Sequence, residues 1–122
     1  MMVPMVPVTR LFADHDGHAR FEDIEIPLAP EDPPPDAMSI SPPWQASAVL
    51  FGRGSAGGSH AEQPEHRRQL VVGISGRVEV TASGETRTFG PGDVLLVEDT
   101  EGFGHSSASA EGFLAAFVVL EP

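Results

Sequence analysis

Apolar and polar positions alternate in short runs along most of the chain, and a period of two marks half-buried β-strands. Arg20–Leu28 sets Ile24, Ile26 and Leu28 on one side and Glu25 on the other, with Pro27 marking an edge position or the strand's end. Trp44–Arg53 predicts a second strand. From Arg67 onward strands recur every eight to ten residues, at Arg68–Ile74, Arg77–Ala82, Glu85–Phe89, Val94–Glu98 and Phe113–Leu120. Their separators, Ser75-Gly76, Ser83-Gly84 and Gly90-Pro91-Gly92, carry the residues of tight turns. Val94–Val97 is apolar throughout and reads as a buried strand. No amphipathic helical period interrupts the series, so the pattern predicts an all-β antiparallel sandwich or barrel.

The other segments read as connections. Residues 1–19 predict an irregular arm with one short strand over Val6–Phe12, apolar enough to pair with a partner's sheet edge. Asp14-His15-Asp16-Gly17-His18 has His-x-x-His spacing, which suits a metal clip, but its Asp and Gly residues favour a solvated turn. Ala29–Pro43 carries six prolines and is a loop, either a surface connection or the wall of a site, with an apolar end at Met38-Ser39-Ile40. Gly54–Ser59 is small and flexible and turns sharply before His60. The single domain thus divides into an arm, edge strand and proline-rich loop over residues 1–43 and a barrel over 44–122.

At 122 residues the chain can bury one core and not two. Its net charge is −11, with 18 acids against seven bases, all of them arginine. Nucleic acids and anionic membrane surfaces need a cationic face, and neither is an expected partner. Without cysteine there is no disulfide, thiolate nucleophile or cysteine metal site. Without lysine or tyrosine, chemistry falls to His, Asp, Glu, Arg, hydroxyls, amides or a bound metal. The start lacks the basic region of a signal peptide and no apolar run is long enough to span a membrane, so the expected location is the cytoplasm.

Two segments resemble the paired motifs of the cupin superfamily, small double-sheet jelly-roll barrels. The first motif runs Gly, five residues, His-x-His, three or four residues, Glu, six residues, Gly; here Gly54, His60 and Glu62 match its opening and Gln69 and Gly76 its close, across a middle gap of six residues. Glu62 stands for the second His and Gln69 for the Glu. Counting back from Gln69 instead puts the two His positions near Gln63 and Glu65; the forward register keeps the Gly54–His60 spacing and is the one adopted. In the second motif Gly92-Asp93 opens a strand and Thr100-Glu101-Gly102-Phe103-Gly104-His105 closes it, with Thr for Pro, two extra residues, and Ser109 for Asn. The resemblance spans residues 44–120.

The resemblance implies a barrel pocket in which His60, Glu62, Gln69 and His105 face inward. In cupins such positions hold a divalent metal, and iron, manganese, nickel or zinc on these four residues is one expectation, a metal-free pocket the other. In the latter, His60 or His105 moves a proton, Glu62 or Glu65 orients the imidazole, and Gln69 or an arginine holds an oxygen. Arg67, Gln69 and Val71 share a face if their strand is regular and would meet substrate there. Trp44, at the start of its strand, either stacks on a ligand or packs at the rim, and His66 reads as a solvated rim residue. The expected function is a non-redox lyase, isomerase or cyclase step on a small organic metabolite, with His60, Glu62 and His105 catalytic. A non-catalytic small-molecule binding or sensor protein and a metal-dependent oxygenase are the alternatives. Pairing of two copies through their sheets, giving a homodimer, is expected by analogy.

Overall fold

The computed structural model describes residues 5–121, and the first four positions of the expected arm lie outside them. The strands are β1 (Met5–Ala13), β2 (Ala19–Pro27), β3 (Ala46–Gly54), β4 (Gly58–Gln63), β5 (Gln69–Gly76), β6 (Val78–Ala82), β7 (Glu85–Phe89), β8 (Val94–Val97), β9 (His105–Ser109) and β10 (Phe113–Leu120). They form a six-stranded sheet in the order β2-β1-β8-β5-β10-β3 facing a four-stranded sheet in the order β4-β9-β6-β7. Neighbours pair antiparallel except β1 and β8, which run parallel. Among the described residues no helix is long and apolar enough to cross a membrane.

The core between the sheets is built from Leu11, Ala19, Val80, Ala82, Leu95 and Val97, with Val71, Val78, Phe21 and Phe89 packed against it. A second cluster, centred on Val8, Leu96 and Leu120, draws only on strands of the six-stranded sheet and occupies its other face. β8 lies between β1 and β5 and feeds both clusters, Leu95 and Val97 into one and Leu96 into the other. That is why its sequence is unbrokenly apolar.

Three elements differ from the expectation. The N-terminal strand is β1, a nine-residue strand that enters the sheet between β2 and β8. β4, whose start lies in the stretch expected to be flexible, and β9, for which the alternation predicted no strand, pair with each other. Their sequences, Gly-Ser-His-Ala-Glu-Gln and His-Ser-Ser-Ala-Ser, carry almost no apolar residue to show alternation, and β4 is an exposed edge. The cluster at residues 14–18 is a turn: the Asp14 carboxylate accepts from the amides of Asp16 and His18 at 2.9 and 3.0 Å, and His18 stacks on Phe103.

Glu98, just past β8, ties this N-terminal hairpin to the barrel. Its carboxylate accepts from Arg10 Nε on β1 at 2.6 Å and from Arg68 at the entry to β5. Arg10 also reaches Glu22 on β2, at 3.1 Å. Burial pushes the Glu98 carboxyl up, but the two guanidinium groups outweigh it and hold it below the usual range. Glu98→Ala leaves two arginines without their shared anion and should cost about 2 kcal/mol, seen as a lower urea midpoint with an unchanged slope. Glu98→Gln, which keeps one acceptor, should lose less.

Candidate functional site

The loop after β8 sets the site. The Glu98 amide donates to the Leu11 carbonyl at 2.7 Å, and the next residue, Asp99, is wholly enclosed. The chain then returns through Gly102 and Gly104, both at positive φ, 79° and 78°. A Cβ on Gly104 would run into the backbone of Gln63 and Pro64, so only glycine lets the two loops close on each other here. The closure is sealed by the Glu65 amide, which donates to the Asp99 carbonyl at 3.0 Å. β9 therefore starts with His105 opposite Gln63.

His105 lies between two carboxylates. Its Nδ1 is 2.6 Å from Asp99 Oδ2 and its Nε2 is 3.5 Å from Glu65 Oε1. Gln69 Nε2 donates to the other Glu65 oxygen at 3.4 Å. The Asp99 side chain is fully buried, that of His105 is 12% exposed and that of Glu65 31%, so the array opens outward on the Glu65 side. Burial disfavours the His105 cation, but hydrogen bonding to Asp99 and Glu65 overrides it and raises the imidazole from 6.5 to about 9. His105 is a cation at neutral pH. Glu65 is held below its ordinary range, first by its hydrogen bond to His105, against its own burial, and further by the fields of His66 and His60.

The expected residues divide accordingly. His105 and Gln69 are in the array. His60 pairs in register with Ser107 on exposed β4, close enough to act on Glu65 through space but outside the trio. Glu62 is exposed where the β4–β9 register shifts, and Glu65 stands where the forward register put Glu62. Arg67 is exposed and precedes β5, so period two does not place it beside Gln69. Val71 packs into the core between the sheets, and Trp44, 36% exposed, stands before β3.

Asp99 is the member of this array that the sequence analysis did not single out. It falls where the chain carries two residues more than the second cupin motif, and that excess was its signal. The backward register also fits better than His60 suggested. Gly57, Gln63, Glu65, Gln69 and Gly76 keep the family's spacing throughout, with five, one, three and six residues between them. Those positions offer one carboxylate and two neutral amides beside His105, a poor donor set for a transition metal. Among the described residues no three His, Asp or Glu side chains are grouped to hold a metal ion. The four residues of the forward register do not fit one either, since His60 and Glu62 are apart from the trio.

No protein-family model matches the chain, and no curated protein does. Solved structures do. A protein of unknown function from Rhizobium leguminosarum is 28% identical, with a TM-score of 0.53 over 61% of this chain and 69% of that one. A conserved protein of unknown function from Streptococcus pyogenes is 19% identical, with a TM-score of 0.52 over 69% and 70%. A cupin conserved-barrel domain protein from Salinispora arenicola is 19% identical, with a TM-score of 0.50 over 79% and 76%. The fold is that of a cupin barrel.

The array makes stability depend on pH with a definite sign. A His105 pKa raised to about 9 contributes stability that is complete below the unfolded value of 6.5 and is lost as pH rises through 9. The lowered Glu65 carboxyl contributes above its unfolded value and loses that contribution as pH falls through its folded value. The thermal midpoint should therefore fall between pH 7 and 10, by an amount equivalent to about 3 kcal/mol. Asp99→Asn should lower stability at pH 7 and flatten that fall.

Proposed function

We propose that the protein catalyses a proton-transfer step on a small carbonyl-bearing metabolite, of the lyase, isomerase or cyclase kind. The observation that carries this reading is an imidazole with a carboxylate at each ring nitrogen, one contact short and enclosed, the other 3.5 Å and open. At the open contact a substrate oxygen can enter between His105 Nε2 and Glu65. The His105 cation then donates a hydrogen bond or a proton to that oxygen, and Glu65 accepts the proton from the adjacent carbon. Entry of substrate separates Glu65 from the His105 charge, which raises the basicity of a carboxylate otherwise held low by that contact. Asp99 touches no substrate; it positions the ring and keeps it charged. Gln69 fixes the rotation of the Glu65 carboxylate through the oxygen left free.

The same two groups serve each outcome. Return of the proton to a neighbouring carbon isomerises the substrate, loss of a hydroxyl protonated by His105 dehydrates it, and attack by an internal nucleophile on the activated carbonyl cyclises it.

Incubation in D2O with a panel of small ketones, aldehydes and hydroxy acids tests this directly. Deuterium should enter carbon next to the carbonyl of at least one compound that raises the thermal midpoint. His105→Ala and Glu65→Gln should each slow that exchange about a hundredfold or more. Compounds that stabilise the fold with no exchange and no change of structure would favour the binding or sensor reading instead.

A further inference from the structure

We infer that the slot between the edges of β3 and β4 takes an uncharged, apolar substituent the size of a phenyl ring, carried by the substrate whose carbonyl is held at His105. The placement of the carbonyl rests on the proton-transfer reading, and that of the substituent on the sheet registers alone. The two strands are joined through a turn but belong to different sheets, and a cavity of about 380 Å³ opens between them. Phe113, Phe117 and Val78 form its apolar wall, and no Asp or Glu lines it in a chain that has 18 of them. The two phenyl rings lie against backbone that carries no side chain: a Cβ on Gly52 would stand 2.6 Å from the Phe117 ring, and one on Gly54 would overlap Phe113. Glycine at these two positions leaves the rings in place as an aromatic surface that a ring can pack on.

Both sheets bring this slot up to the array. Residues directly opposed in an antiparallel ladder show their side chains on one face. In the four-stranded sheet Ser107 is opposed to Val80 on β6 and to His60 on β4, and Val80 belongs to the core between the sheets. Ser107 therefore faces inward, and it lines the slot. His105 lies two residues before Ser107 on the same strand, so it shares that face at a distance of about 7 Å. In the six-stranded sheet Phe117 is opposed to Val71, and Gln69 to Val97, and both partners pack into the same core. Phe117 and Gln69 are thus inward-facing diagonal neighbours across the β5–β10 ladder, about 7 to 8 Å apart. On each sheet a slot residue stands one inward position from an array residue, Ser107 from His105 and Phe117 from Gln69. A short chain on a carbonyl held at His105 runs along β9 to Ser107 and ends against the phenylalanine wall, where burial of its apolar surface adds to binding.

4-Phenylbutan-2-one and butan-2-one share a carbonyl and differ in the phenyl group. Added to 15N-labelled protein, the phenyl ketone should shift the amides of Gly52, Gly54 and Ser107 and bind about tenfold more tightly than butan-2-one. Ser107→Leu, which fills the slot, should remove that difference. The comparison of the two ketones is made on the unsubstituted protein, so it stands even if Ser107→Leu fails to fold. His105→Ala should keep the shifts at the slot and lose deuterium exchange. A phenyl ketone seated in the slot without exchange sets aside the chemistry and keeps the slot; exchange into other compounds with no gain from the phenyl group does the reverse. The inference is overturned by no binding of the phenyl ketone at millimolar concentration, by equal affinity for the two ketones, or by shifts that leave Gly52, Gly54 and Ser107 unmoved.

Discussion

A carboxylate with no access to water must have a cation or a proton, and Asp99 has no access to water. His105 is the group that meets this requirement, at 2.6 Å. Much of the surrounding structure follows from bringing the two together. The loop after β8 buries Asp99 and is anchored to β1 through the Glu98 amide, so the parallel β1–β8 pairing supports the site as well as the sheet. Gly104 lets the returning chain touch the Gln63–Pro64 backbone, and that contact delivers Glu65 to the other side of the ring. With one carboxylate enclosed and the other open, the ring is charged from within and addressable from without.

The barrel supplies rigidity for this arrangement in an unequal way. The six-stranded sheet is apolar on both faces and holds β8 and β5, from whose ends Asp99 and Gln69 follow or begin. The four-stranded sheet is thinner in apolar residues, and its edge strand β4 is exposed along its whole length. The polar chemistry thus sits where a well-packed sheet meets a weakly packed one.

β6 and β7 could be read in the sequence because they alternate, and β5, β8 and β10 because they are apolar runs between turn residues. β4 and β9 could not, since backbone pairing and not apolar packing makes them strands. The barrel was legible through two weak motifs in the right order, with His105 and Gln69 as their surviving polar members. The rest of the site was hidden by one coincidence and one insertion. His60 is separated from Gly54 by five residues and so imitates the first motif, which drew attention to Glu62, while the full spacing runs from Gly57 through Glu65. Asp99 lies in a length excess, where a motif gives no residue to look for.

The protonation of His105 is the point on which the account turns. A long-range 15N–1H correlation spectrum of histidine-labelled protein at pH 7.5, with His105 assigned by its substitution, reads both ring nitrogens at once. The account predicts that Nδ1 and Nε2 both appear as protonated nitrogens, and that in Asp99→Asn one of them becomes unprotonated. A neutral His105 in the unsubstituted protein at that pH, with a single N–H, would contradict it.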